Sequence, residues 1–234
     1  MKKTTLLLLS LFWASFTQAQ SKALVACIDD HPPYQYLGVK PYGTHISALE
    51  VLADVLDKQL TFVQSPNFAR CVAMLKKGDV DVIAGLNQTA QRDQFAVYAP
   101  FKPADELKVI SKEGIIISTY NDFKGKIIGV SRGTAYFPKF DNDDTLDKIS
   151  VQSDRIGFSL LLKNRIDLIM FSPEVLATFS GEISSAKLKV SPIALEGLRN
   201  TVTLFGFSKL HKLNLSNKEL IDKVTNAYQA GFFN

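Results

Sequence analysis

The segment that most directly suggests chemistry is GDVDVIAGLNQTAQRDQFAVYAPF, residues 78–101. It begins with an apolar run typical of a buried strand and continues with Asn87, Thr89 and Arg92, whose side chains make hydrogen bonds. A guanidinium can hold a carboxylate through two parallel hydrogen bonds. The residue types leave two interpretations of Arg92 open: a carboxylate-binding site, and a structural ion pair, which is the commoner use of arginine.

Two other polar loops follow predicted strands. DDHPPYQY, residues 29–36, contains His31 and Tyr34, and SRGT, residues 131–134, ends in Thr134. Thr134 is predicted to cap a helix, where free backbone N–H groups attract an anion. Ligands of open α/β sheets bind beyond the carboxyl ends of the strands. We therefore expect these two loops and the segment around Arg92 to meet in one site.

The elements that must position these loops alternate between strand and helix. Predicted strands over 23–28, 60–63 and 80–84 are separated by helical patterns at 46–56 and 68–77, an order that indicates a parallel α/β sheet. The alternation restarts after these elements. Its strands are predicted at 107–111, 127–130, 149–152, 168–171, 188–193 and 201–207, with helices at 155–163, from Pro173 and from Ser216. The sequence therefore predicts two α/β lobes that share short connecting strands.

The N-terminus has the pattern of a secretory signal. Two lysines precede an apolar run that is too short to span a bilayer, and Thr17-Gln18-Ala19 resembles a cleavage site. Residues 1–19 are thus predicted to be removed, which leaves 234 − 19 = 215 residues and places the protein in the periplasm. The net charge of +4 includes Lys2 and Lys3, and the other basic residues are scattered. This distribution argues against a nucleic-acid partner.

The two cysteines, Cys27 and Cys71, have two possible states. An oxidising compartment favours a disulfide, and two buried free thiols are the alternative. The three histidines are scattered and the cysteines lack metal-ligand spacing, so we expect no metal and no cofactor.

Several segments, taken together, resemble the family 3 periplasmic solute-binding proteins of the amino-acid and opine type. The most specific is MLKKGDVDVIAGLNQTAQRDQFAVYAPF, and the others are listed here: DDHPPYQYLGVKPYGTHISALEVLADVL, FKGKIIGVSRGTAYFPKF and LKNRIDLIMFSPEVL. The resemblance covers the mature chain in order. It implies a type II periplasmic-binding fold, with lobe 1 in residues 20–106 and 206–234 and lobe 2 in residues 107–205, joined by two short hinge strands.

The resemblance also implies site residues and a function. Arg92 and Thr89 match the positions that hold an α-carboxylate, and Thr134 matches the contact from lobe 2. The other candidate ligand-binding residues are Asn87, Arg132, His31 or Tyr34 over the ligand, Phe68 opposite, and Ser172. The expected protein is a monomer that closes on a small carboxylate-bearing molecule. It would deliver this ligand to an inner-membrane transporter or report it to a sensor protein.

The chain departs from the family pattern at two places: the Gly-x-x-x-Asp expected after the first loop has Ser47 and no Asp before Glu50, and Ser172 replaces an acid. The family usually has an acidic residue where this chain has Ser172, so the anchor for a ligand ammonium group is missing. An amino-acid derivative, an organic acid or a short peptide therefore fits as well as an amino acid. Two other classes remain as alternatives: an enzyme of dehydratase or lyase type that uses Glu174, Asp30 or His31, and an interaction module without a ligand.

Overall fold

The structure is a computed structural model that describes residues 23–191, residue 193 and residues 202–233. The predicted signal segment and its cleavage site lie outside the described residues. No described helix is long and apolar enough to cross a membrane.

The first sheet has five strands and joins the two ends of the chain. With strands numbered along the chain, it contains β1 (Leu24–Ile28), β2 (Leu60–Gln64), β3 (Val82–Ala84), β4 (Ala96–Pro103) and β10 (Val202–Ser208) in the order β2-β1-β3-β10-β4. β1 is parallel to β2 and β3, and β10 is antiparallel to β3 and β4. We call the part of the protein built on this sheet lobe 1.

The second sheet repeats this plan. It contains β5 (Lys108–Ser111), β6 (Ile127–Ser131), β7 (Asp147–Val151), β8 (Leu168–Phe171) and β9 (Lys189–Val190) in the order β7-β6-β8-β5-β9. β6 is parallel to β7 and β8, and β5 is antiparallel to β8 and β9. We call this part lobe 2. The chain passes from lobe 1 to lobe 2 through residues 104–107.

Helices cover the sheets. They are α1 (Thr44–Leu56), α2 (Phe68–Lys77), α3 (Pro138–Asp141), α4 (Asp154–Leu162), α5 (Pro173–Ala177), α6 (Ser180–Ser185) and α7 (Asn217–Gln229). In lobe 1, α1 and α7 share one apolar cluster with Phe205 and Phe207 of β10, whereas α2 packs in a second cluster with Cys27 and Ile83. Apolar side chains buried on both faces of its strands fix the sheet between these helices.

Several helix ends carry capping residues. Ser153, Ser172 and Ser216 are N-caps, and Ser216 forms a capping box with Glu219. Gly78 ends α2 in the left-handed conformation, with φ of 73°. These caps depend on a few neighbouring residues and not on contacts across the fold.

Thr134 is not a helix cap, contrary to the prediction. Its backbone N–H closes a turn onto Ser131 O at 3.0 Å, and α3 starts at Pro138 with Phe137 as its N-cap. Phe137 and Phe140 are buried in lobe 2, and this burial sets the position of the short helix. In the last strand of the first sheet, Val202 pairs with Pro103 of β4.

A disulfide joins Cys27 of β1 to Cys71 of α2, so the bridge alternative is confirmed. The bond lies in the core beneath α2, and both residues are almost fully buried. It fastens a helix of lobe 1 to the central part of the first sheet.

Candidate functional site

A cleft of about 1120 Å³ lies between the two lobes. Its walls are formed by the loops that follow the carboxyl ends of β1, β3, β6, β7 and β8, where ligands of α/β sheets bind. The first turn of α2 supplies a further wall, with Phe68 and Ala69. The topology thus gathers segments that are far apart in the sequence around one space.

Arg92 is buried in the wall of this cleft, with 7% of the residue exposed. It starts a single 3-10 turn, Arg92–Gln94, and its backbone N–H donates to Thr89 Oγ1 at 3.2 Å. Nη1 donates to the carbonyl of Asn87 at 2.6 Å, and Nη2 donates to the carbonyl of Gly133 in lobe 2 at 2.5 Å. Both acceptors are neutral, so these hydrogen bonds orient the guanidinium without cancelling its charge.

Burial lowers the pKa of Arg92 from its usual value, while the charges of Tyr98 and Asp141 act in the opposite direction. Arginine titrates so far above neutral pH that the side chain is still a cation. The ring of Phe68 lies 6.0 Å from the guanidinium carbon, at the limit of a cation–π contact. The site therefore presents a desolvated positive charge beside an aromatic wall.

The two lobes touch around this arginine. Asn87 Nδ2 donates to the carbonyl of Ala135 at 2.6 Å, which is a second hydrogen bond from lobe 1 to lobe 2 beside the one from Arg92 to Gly133. Gly133 has φ of 84°, and a Cβ at this position would lie 2.6 Å from the Cα of Ala69. Only glycine permits this approach. The cleft is thus narrow here, with the main chain of lobe 2 against the start of α2.

A second contact between the lobes lies in the loop after β1. His31 Nδ1 is 2.7 Å from Asp154 Oδ2, at the first position of α4 in lobe 2. The other oxygen of Asp154 accepts a hydrogen bond from Ser131 Oγ at 2.5 Å. Ser131 ends β6, so this acid ties two loops of lobe 2 to one loop of lobe 1.

Tyr34, from the same loop, is buried among apolar side chains of lobe 2. Its hydroxyl lies 2.8 Å from Ser172 Oγ, 2.8 Å from Asp105 Oδ2 and 3.0 Å from Glu174 Oε2. Burial raises the pKa of Tyr34, the Ser172 hydrogen bond opposes the rise, and the two acids add to it. The tyrosine stays neutral, and its hydroxyl lies within hydrogen-bond distance of Ser172.

All nine residues predicted to bind the ligand line this cleft: His31, Tyr34, Phe68, Asn87, Thr89, Arg92, Arg132, Thr134 and Ser172. Their environments differ. Arg92, Tyr34 and Ser172 are buried, whereas Arg132 and Thr134 are exposed at the rim. The structure brings the nine side chains together, and their contacts with a ligand remain a prediction.

Sequence reasoning missed Asp154, an acidic residue of the site, whereas Asp29 lies in the loop 29–36 that was predicted to belong to it. Asp154 and Asp29 both line the cleft and are largely buried. Burial raises the pKa of Asp29 to about 6, against the opposing charge of His31. Asp154 lies shortly after the end of β7 and directly after Ser153, the N-cap of α4. The rule that sites lie at the carboxyl ends of strands would therefore have found it.

His45 was also missed, although it lines the cleft. Its ring stacks on Tyr34 at 4.5 Å, and neither ring nitrogen has a partner among the described residues. Burial lowers its pKa well below the usual value, assisted by the charges of His31 and Lys102. It therefore contributes a neutral ring to this wall. No group of three metal-ligating side chains occurs in the described part of the chain.

The comparison with protein families decides the identity of the fold. Residues 24–230 match the family described as bacterial extracellular solute-binding proteins, family 3. The chain belongs to this family. The match spans both lobes, so the whole described unit is a solute-binding protein, and the resemblance noted in the sequence is confirmed.

Solved structures share the two-lobed fold. An ancestral arginine-binding protein bound to arginine has a TM-score of 0.72 and 20% identity over 91% of this chain and 95% of its own. The substrate-binding protein of an amino acid ABC transporter has a TM-score of 0.70 and 20% identity, and the match covers 91% of this chain and 95% of its own. The GluR0 ligand-binding core from Nostoc punctiforme, in complex with L-glutamate, has a TM-score of 0.70 and 16% identity. This match covers 90% of this chain and 95% of its own. At these identities the likeness establishes the fold. A search of curated proteins found no match.

Proposed function

We propose that this solute-binding protein closes on a small molecule that bears a carboxylate, and that Arg92 binds this carboxylate. One observation carries the proposal: the guanidinium is buried in the cleft wall and is held by neutral carbonyl groups. A carboxylate that replaces the Gly133 carbonyl would form a charge-assisted pair, which is stronger than the neutral hydrogen bond. Asn87, Thr89, Phe68 and Thr134 would complete this end of the site.

The ligand need not be an ordinary amino acid. Ser172 carries no charge, and its hydroxyl already accepts hydrogen bonds from Tyr34 and from the Val175 N–H. An α-ammonium group would find no acid at this position. The candidate ligands therefore comprise amino-acid derivatives and small organic acids, as well as the amino acids named for the similar structures.

The predicted signal segment and the extracellular family support export to the periplasm. There the closed form would deliver its ligand to a membrane transporter or report it to a sensor. One similar structure belongs to an ABC transporter and another is named a ligand-binding core, so both uses of the fold occur. We infer that the mature protein acts as a monomer without nucleic acid or cofactor.

We also infer that the protein performs no reaction. Ser131 donates its hydrogen bond to Asp154 and not to His31, so no hydroxyl is paired with an imidazole for activation. Glu174, the candidate acid of a lyase, is exposed and lies beside the Tyr34 hydroxyl. Turnover of a bound compound that Glu174→Gln abolishes would instead support an enzyme.

A thermal-shift screen against amino acids, opines, polyamines and small organic acids identifies the ligand class. A ligand at a hundred times its Kd should add about 2.7 kcal/mol of stability. We then expect Arg92→Ala to weaken binding of the best compound by about 2–5 kcal/mol, since it removes a buried charge partner. Isothermal titration calorimetry measures this loss.

Arg70→Ala is the matched control, because Arg70 is an exposed arginine of α2 that does not line the cleft. It should bind the compound as the wild type does. Unchanged affinity of Arg92→Ala would refute the carboxylate site, and the absence of any thermal shift across the screen would favour an interaction module.

A further inference from the structure

The loop that follows β1 belongs to lobe 1 by sequence but contacts lobe 2 at two places. Tyr34 is 4% exposed and packs in the apolar cluster of lobe 2, with its hydroxyl near Ser172 and Glu174. His31, three residues earlier, pairs with Asp154. Because both contacts cross from one lobe to the other, they exist together only while the cleft is closed. We call residues 29–35 the clasp.

The two contacts differ in how they respond to pH. The Tyr34 hydroxyl is neutral across the physiological range, so its hydrogen bonds are constant. The His31–Asp154 contact is an ion pair only when the imidazole is protonated. Asp154 is fixed by the Ser131 hydroxyl, which leaves its other oxygen directed to His31. The histidine is therefore the part of the clasp that can change state near neutral pH.

We propose that the clasp makes closure of the cleft depend on the protonation of His31, so that the closed form is favoured at mildly acidic pH and weakens as the pH rises. The clasp acts on the cleft to which the proposed function assigns the ligand, and its physiological use rests on that function. Its test requires no ligand.

The charges around His31 favour the imidazolium. Burial alone would lower the pKa of His31, but the charge and hydrogen bond of Asp154, and the charges of Asp29 and Asp30, outweigh burial and raise it. For Asp154, burial acts to raise the pKa, but the charge and hydrogen bond of His31 and the Ser131 hydroxyl outweigh it and lower the pKa. The pair is thus stabilised in its charged form in the closed structure.

The other titratable neighbours do not reverse this direction. On the lobe 1 side, Tyr34 and His45 are neutral near pH 7, because burial raises the pKa of the first and lowers that of the second. On the lobe 2 side, burial raises the pKa of Tyr136, so this phenol is also neutral. Arg155 follows Asp154 on α4, and its guanidinium lies 5.8 Å from the Phe179 ring.

The sign of the pH effect follows from linkage. A histidine whose pKa is higher in the closed form stabilises closure fully below its ordinary pKa, and this contribution is lost as the pH rises through the raised value. Asp29, with its pKa raised to about 6 by burial, acts in the same direction, because the closed form favours its protonated state. The pKa of Asp154 is lowered in the closed form, so its contribution to closure is lost only when this acid becomes protonated. That happens at pH values near or below its ordinary pKa of about 4.

Two measurements on the ligand-free mature protein test the proposal. Proton NMR titration should give His31 a pKa above 6.5, and Asp154→Asn should lower it by about one unit or more. Small-angle X-ray scattering should show a radius of gyration that increases between about pH 5 and about pH 8.5. This increase should be reduced in His31→Gln and lost in His31→Gln combined with Asp29→Asn.

His211→Gln is the control, since it removes a histidine that does not line the cleft and should leave the scattering profile of the wild type. A His31 pKa that Asp154→Asn does not lower would overturn the proposal. So would a radius of gyration that is constant with pH in the wild type, or that rises equally in the double variant. Failure of the carboxylate site, by contrast, would appear as unchanged affinity in Arg92→Ala.

Discussion

Gly133 shows at the scale of one residue how closely the lobes approach. Its positive φ and its distance from Ala69 both exclude a side chain. We expect Gly133→Ala to prevent full closure, because its Cβ would meet the backbone of α2. Affinity for the compound found by screening should fall at least tenfold, and the radius of gyration should increase.

Gly114→Ala separates closure from backbone strain. Gly114 has φ of 81°, and no atom lies within 4 Å of a Cβ placed there. This variant should lose about 1 kcal/mol of stability from the left-handed conformation and keep its affinity. Equal binding by the Gly133 and Gly114 variants would show that the contact with Ala69 does not control closure.

At the scale of an element, α7 is held by its first turn. Ser216 Oγ accepts a hydrogen bond from the Glu219 N–H at 3.2 Å, and Glu219 Oε2 accepts one from the Ser216 N–H at 2.8 Å. Ser216→Ala should cost about 1 kcal/mol of unfolding free energy, measured in urea, because an N–H of the helix loses its partner.

Ser184→Ala is the comparison for this prediction. Ser184 is an exposed serine inside α6 whose hydroxyl bonds back to the carbonyl of Ser180. Alanine suits a helix interior, so this change should be close to neutral. An equal loss in both variants would mean that the capping box contributes nothing specific.

At the scale of the whole molecule, we expect the covalent link within lobe 1 to add stability. The Cys27–Cys71 bridge closes a loop with a sequence separation of 44 residues. A loop of this length predicts a stabilisation of about 4 kcal/mol from the lost freedom of the unfolded chain. We expect reduction to lower the melting temperature by about 8–16 °C, as calorimetry would show.

A variant with both cysteines changed to alanine should melt at the same temperature with and without reductant. Titration of free thiols in the untreated protein checks the starting state. Two reactive thiols before reduction, together with an unchanged melting temperature, would contradict the bridge.

At this same scale, the sequence predicted the elements better than the contacts between lobes. The caps at Ser153, Ser172 and Ser216 depend on local chemistry, and the strands on local apolar patterns. The rule for strand ends predicts that Arg92 and His31 line one cleft, and both residues do. The family pattern supplied the remaining candidates for the site.

The partners in lobe 2 could not be predicted in this way. His31 and Asp154 are 123 positions apart in the chain, and no periodicity links them. Thr134 failed as a cap because the burial of Phe137 and Phe140, a tertiary effect, decides where α3 begins. Pairings between lobes depend on how two folded bodies meet, and that geometry has no local signature.

The acceptors that lobe 2 offers to Arg92 and Asn87 are peptide oxygens of Gly133 and Ala135. Every amino acid carries such an oxygen, so replacing the methyl group of Ala135 leaves the second of these bonds chemically intact. A substitution at position 135 can therefore change the shape of the nearby wall while the hydrogen bond between the two lobes is kept.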